Sequence, residues 1–343
     1  MTTWHADFLD GYEVCDLALP GVEPAQGEPK DVELVATLVR RMPANTSRLA
    51  ALYVHGWNDY FFQTHLADHM ADLGFDFYAV DLRRYGRSLR RGHLRGFITN
   101  LDDYAAELDA AADVIAEDHD ELLLMGHSTG GLITALWASQ HSDRISGLVL
   151  NSPWLDMQAS AIVRTLGTPV IDALGSRSPT SALRLPEVGF YPRTVHVSLG
   201  GEWDYDLDLK LTNPGPPIRV GWLRAILLGH QRVAAGLNIG VPVLVMASTA
   251  TDFSRRWHEG LRTVDVVLDV EQIVARAVRL GPHVTVVRIA EGMHDLVLSA
   301  AHVRKVALDE IGRFTNGYVK STPKLLEPLP RRGSEGRGSR PPL

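Results

Sequence analysis

The feature that most narrows the fold of this chain lies between residues 122 and 150. A compact apolar run over 122–125 enters Gly126-His127-Ser128-Thr129-Gly130, a helical pattern follows over 129–140, and a second apolar run occupies 147–150. Strand, tight turn, helix and strand at this range make a parallel crossover unit. Similar β-rich runs stand at 32–39, 49–54 and 75–80 before it and at 241–246 and 284–289 after it. Helical spacing separates them over 61–73, 101–116, 270–280 and 299–314. That order predicts an α/β fold, a parallel sheet covered by helices.

The glycine-flanked turn also predicts chemistry. A serine raised on a sharp strand-to-helix bend needs neighbours without side chains two positions before and after it, and Gly126 and Gly130 meet that need. Serine is a weak nucleophile at neutral pH, so it requires a base within reach and donors for the oxyanion that forms. His294 is the candidate base, because Glu291-Gly292-Met293-His294-Asp295 follows the last β-run directly. Loops at the ends of parallel strands gather on one edge of the sheet, where Ser128 also belongs. Three acids could orient the imidazole. Asp265, ahead of the helix over 270–280, is placed first, while Asp252 nearer the strand over 241–246 and Asp156 beyond the strand over 147–150 stay open. Asp269 reads as a helix cap. The oxyanion donors expected are the backbone N–H groups of Thr129, after the nucleophile, and Trp57, in the loop after 49–54. His55, beside them, reads as a buried packing residue.

Composition closes several alternatives. Lys and Arg number 34 against 41 Asp and Glu, a net charge of −7, which gives no long-range attraction for nucleic acid or anionic lipid. A small-molecule partner is expected instead. The lone cysteine, Cys15, excludes an intramolecular disulfide and a cysteine-only zinc site. The first ten residues carry Asp7 and Asp10 without a basic start or an apolar stretch, and no apolar run approaches the roughly 18–20 residues a spanning helix needs. The expectation is a cytoplasmic protein without a membrane span. His65 and His69 lie one helical turn apart, but Leu66 stands where a zinc protease has glutamate, so they read as an exposed helix face. No phosphate loop or dinucleotide fingerprint is present, and neither a metal nor a cofactor is implied.

These residues resemble the α/β-hydrolase family. The chain order Ser128, Asp265, His294 is similar to that family's nucleophile, acid and base, and His55-Gly56 stands where its oxyanion loop begins. Asp81-Leu82-Arg83-Arg84-Tyr85-Gly86-Arg87-Ser88 resembles its Asp-x-x-Gly-x-Gly-x-Ser stretch, with Arg84 in place of the first glycine. The Gly-His-Ser-x-Gly-Gly turn and Asn151-Ser152-Pro153 look most like the monoacylglycerol lipase and lysophospholipase group. The resemblance implies a mostly parallel eight-stranded sheet with helices on both faces and a lid inserted after the sixth strand. On that reading 1–151 and 241–317 form the core, 152–240 the proline-interrupted lid, and 318–343 a disordered tail. The implied activity is hydrolysis of carboxylic esters with an apolar acyl group through an acyl-enzyme, with Trp57, Tyr60, Phe61 and Trp154 lining the substrate site. Acyl transfer or lactone opening on the same triad, or a non-catalytic ligand-binding homologue, are the alternatives.

Overall fold

A computed structural model describes residues 3–42, 47–157, 168–183, 190–210 and 215–320. Its strands are β1 (His5–Ala6), β2 (Tyr12–Ala18), β3 (Val35–Arg41), β4 (Leu49–Val54), β5 (Asp76–Asp81), β6 (Glu121–His127), β7 (Gly147–Asn151), β8 (Val243–Ser248) and β9 (Val284–Ile289). They form one sheet in the order β1-β2-β3-β5-β4-β6-β7-β8-β9. Pairing is antiparallel from β1 through β5 along the edge and parallel from β5 onward across β4 to β9. The sheet thus has the eight strands expected plus the two-residue edge strand β1.

Side chains of the central strands alternate between two buried layers, as period-two geometry requires when both faces are covered. On β4, Ala50, Leu52 and Val54 enter one layer and Ala51 and Tyr53 the other; on β6, Leu122 and Leu124 oppose Leu123 and Met125 in the same way. Helices α2 (Ala105–Ala116) and α3 (Thr129–Ala138) cover the first layer through Leu108, Leu132 and Leu136. Helices α1 (Thr64–Asp72) and, at the C-terminal end, Ala301–Phe314 cover the second through Leu66, Met70, Val303 and Ile311. Each such leucine or isoleucine withdraws enough apolar surface to contribute about 2 kcal/mol.

Between β7 and β8 the chain leaves the alternation. Among the described residues there it forms α4 (Thr168–Arg177), α5 (Tyr191–Val195) and α6 (Val220–Ala235), and the sheet then resumes with β8, α7 (Val270–Ala277), β9 and α8 (Ala301–Phe314). Helical structure runs on through Val319, which is buried against the end of α8, so the order extends past the boundary expected at 317. The remainder of the expected tail, 321–343, lies outside the described residues. Among the described residues no helix is long and apolar enough to cross a membrane.

Candidate active site

Ser128 stands between β6 and α3 with φ 53° and ψ −117°, a backbone conformation that L residues rarely adopt. Close packing explains why both flanking positions are glycine. A Cβ on Gly126 would strike Thr134 Oγ1 and the Gly130 backbone, and one on Gly130 would fall onto the carbonyl oxygens of Val54 and His55. The bend holds the hydroxyl at the C-terminal edge of the sheet.

The loop after β9 brings His294 to it, with Nε2 2.9 Å from Ser128 Oγ. Nδ1 of the same ring lies 2.9 Å from Asp265 Oδ2. A carboxylate only accepts, so Nδ1–H donates to Asp265 and Nε2 is left to accept the serine proton. Asp265 is itself fixed, because its Oδ1 accepts from the N–H groups of Val267 and Leu268, each at 2.8 Å. All three residues are buried. The other acids do different work: Asp252 pairs with His258 at the surface, Asp156 with Arg276, and Asp269 caps α7 by accepting from Glu271 N–H. Of the candidates, only Asp265 meets the imidazole.

The loop that follows β4 lies against the serine. A Cβ on Gly56 would come within 3.1 Å of Ser128 Cβ, so the residue after it, Trp57, begins its backbone next to Ser128. Thr129 is the first residue of α3, where N–H groups have no partner inside the helix. His55 is buried and braces this loop, as expected of a packing residue: its Nδ1–H donates to Gly56 O at 2.8 Å and its Nε2 accepts from Leu82 N–H at 3.1 Å. The stretch from Asp81 to Ser88 supports the same loop. Asp81 Oδ1 accepts from Phe61 N–H, and Arg87 binds Asp81, Asp7 and the Phe61 carbonyl. Arg84, where the family pattern has glycine, adopts φ 68°. That left-handed backbone costs about 1–2 kcal/mol, and a buried two-pronged bond to Glu28 at 2.6 and 2.7 Å holds it in place.

Asn151, at the end of β7, fixes the histidine loop. Its amide donates to Asp295 Oδ1 at 2.7 Å and its carbonyl oxygen accepts from Leu296 N–H at 3.2 Å. Burial, reinforced by the neighbouring His294, drives the His127 imidazole well below its ordinary range and keeps it neutral.

Of the four residues expected to line a substrate site, Trp57 and Trp154 adjoin the serine segment, while Phe61 and Tyr60 make other contacts. Trp57 follows Gly56, its ring 4.0 Å from that of Trp222 on α6; Trp154 N–H donates to Ser128 O at 2.9 Å, and its ring also meets Trp222. Phe61 instead packs between Tyr12, Tyr53 and Phe77 in the layer beneath the sheet, because its own N–H is turned onto Asp81. Tyr60 is buried against Phe62, and its hydroxyl accepts from Asp206 N–H. The two histidines of α1 also depart from expectation. His65 Nε2–H donates to Val297 O and His69 Nε2–H to Leu308 O, so this side of the helix faces the C-terminal elements instead of solvent. Among the described residues no cluster of His, Cys, Asp and Glu is arranged to hold a metal.

A family model described as serine aminopeptidase, S33, matches residues 46–298, a span that contains the serine, the acid and the histidine. The chain belongs to this α/β-hydrolase family. Phospholipase YtpA of Bacillus subtilis is 33% identical over 108 residues, which is 31% of this chain and 40% of that protein. Lysophospholipase L2 of Escherichia coli is 25% identical over 268 residues, covering 74% of this chain and 76% of the relative. Among solved structures, a monoacylglycerol lipase from Paleococcus ferrophilus superposes with a TM-score of 0.62 at 17% identity, covering 84% of this chain and 100% of its own. At that identity the likeness speaks for the fold.

Proposed function

We propose that this protein is a serine hydrolase that cleaves carboxylic esters with an apolar acyl group, in the manner of monoacylglycerol and lysophospholipid substrates. The observation that carries the reading is the continuous hydrogen-bonded line from Asp265 through His294 to Ser128. His294 Nε2 takes the Ser128 proton as Oγ attacks the ester carbonyl, and Asp265 stabilises the imidazolium. The carbonyl oxygen becomes an oxyanion facing the Thr129 and Trp57 N–H groups. Collapse breaks the bond to the alkoxy group, which leaves as an alcohol with the proton from His294. Water then enters; His294 removes its proton as the oxygen adds to the acyl carbon, and the bond to Ser128 Oγ breaks as the imidazolium returns that proton to Oγ, which frees the acid and restores the enzyme.

Trp57, Trp154 and Trp222 supply an apolar wall beside the serine, which suits an acyl chain. In this reading 152–240 is a lid over that wall, and the near-complete burial of Ser128 and His294 means the lid must yield before a substrate enters. A fluorophosphonate probe tests the nucleophile directly. Labelling of the wild type that disappears in Ser128→Ala, together with kcat/KM on p-nitrophenyl esters that rises with acyl length, is the expected outcome. Absent labelling with retained ligand binding would favour a non-catalytic homologue, and faster turnover of aminoacyl p-nitroanilides than of any ester would replace esters with peptides as the substrate class.

A further inference from the structure

The segment after α5 sends one cation into the heart of the molecule. Lys210 Nζ lies 2.8 Å from Asp59 Oδ1, and both side chains are almost fully buried. Three aromatic rings surround the ammonium, with centroids 5.2 Å away for Phe62, 5.5 Å for Tyr191 and 5.0 Å for Tyr205. Rings at these distances attract a desolvated cation through their negative faces. Asp59 is two residues beyond Trp57, and its Oδ2 stands 4.0 Å from His127 Nδ1. Tyr191, one wall of the cage, packs its ring 5.4 Å from that of His294. The lysine therefore touches the insertion, the oxyanion loop and the neighbours of the base at once. The segment that leads into it is pinned by two neighbours: Asp206 N–H donates to Tyr60 Oη, and Arg95 donates to the carbonyls of Asp208 and Leu209.

We infer that Lys210 is a positioning residue that docks the insertion onto the oxyanion loop, so that the Trp57 N–H is in its working place only while the ammonium is seated on Asp59. The inference rests on the serine-hydrolase reading for its catalytic consequence, but its structural half stands apart. A buried pair of this kind leaves a stranded charge when one partner is removed, and the stranded charge disturbs everything near it. The other charged and titratable groups facing the pair and the base are His127, Asp265 and Asp295, the last 3.9 Å from His127. The hydroxyls of Tyr53, Tyr60, Tyr191 and Tyr205 stay neutral, because burial raises each of them.

The experiment compares Lys210→Met, Asp59→Asn and the double variant with wild type, reading ester turnover against pH and backbone hydrogen exchange over 55–62. Each single change is expected to lower kcat about 100-fold, the size of losing one oxyanion donor, with KM held within about threefold. Exchange over 55–62 speeds up in both. The acid limb of kcat/KM moves to higher pH in Lys210→Met, where Asp59 is an uncompensated anion beside the imidazoles, and to lower pH in Asp59→Asn, where the ammonium is unpaired. The double variant strands no charge and loses the same single donor, so its kcat is expected about 100-fold below wild type, not at the product of the two single effects. Limbs that move together, or not at all, reduce the pair to packing; wild-type kcat or unchanged exchange in Lys210→Met overturns the inference. Should Lys210→Met fail to fold, Lys210→Arg keeps the charge, and a displaced acid limb there would count against it. If the wild type neither turns over esters nor takes the fluorophosphonate, the hydrolase reading fails, and hydrogen exchange alone decides whether Lys210 holds the loop.

Discussion

Asp265 and Asp252 are neighbours in space, joined by backbone bonds between Asp252 N–H and Asp265 O and between Asp265 N–H and Ala250 O, yet their side chains have different fates. Asp265 is fully buried and aimed at His294, whereas Asp252 turns outward to His258. Replacing Asp265 with Asn removes the acceptor that selects the imidazole tautomer, and kcat on an ester substrate is expected to fall about 10⁴-fold. Asp252→Asn should stay within about threefold of wild type. The reverse result in steady-state kinetics would move the acid to Asp252. That Ser128, His294 and Asp265 meet was legible because the turn glycines and the spacing of strands restrict which side chains can gather at that edge of the sheet. Asp59 and Lys210 were not, because they lie 151 residues apart and an isolated ion pair imposes no period on a sequence. Nor was the fate of Phe61, whose placement depends on which way a loop turns its N–H groups.

At the level of elements, β4, buried on both faces, announced itself as an unbroken apolar run and begins and ends at the residues expected, and the half-buried edge strand β9 keeps its expected bounds as well. β2 was missed because it lies toward the sheet edge and carries Glu13 and Asp16, whose charges interrupt its apolar alternation; in the fold they bind Arg40 and the Thr37 hydroxyl. The same partnership extends β3 to Arg41, past the residue where apolar content ends. α6 is keyed to the loop after β7 by His230, whose Nε2–H donates to Trp154 O at 3.0 Å. Burial lowers this imidazole to about 4, against an ordinary value near 6.5 in the unfolded chain. The unfolded chain therefore binds a proton that the folded one refuses between these values. The contribution is fully present above pH 6.5 and is lost as pH falls toward 4, about 3 kcal/mol over the whole window. Urea unfolding of wild type and His230→Gln at pH 7 and pH 4.5 should show wild type losing about 2 kcal/mol more than the variant. Parallel losses would mean that His230 is not held neutral by the fold.

Across the whole molecule, the insertion and the sheet share their cores. Trp222, Ile226 and Val233 of α6 join the layer that holds Leu132 and Leu136 of α3, and Val195 and Tyr205 pack with Tyr60, Phe62 and Leu298. The Trp203 indole N–H also donates to Leu298 O at 2.7 Å. An insertion built this way cannot detach as an independent domain without exposing side chains that also finish the core beneath it. Unfolding should then be one cooperative transition, with tryptophan fluorescence, dominated near the site by Trp57, Trp154 and Trp222, changing at the same denaturant concentration as far-UV circular dichroism. Trp222→Ala should lower global stability by about 3–5 kcal/mol and shift both probes equally, since its ring is buried between the oxyanion-loop tryptophan and the loop after β7. An early fluorescence change that leaves the circular dichroism intact would show instead that the insertion melts alone. Access to Ser128 would then come from local unfolding of the insertion, and the shared layers would not be what limits it.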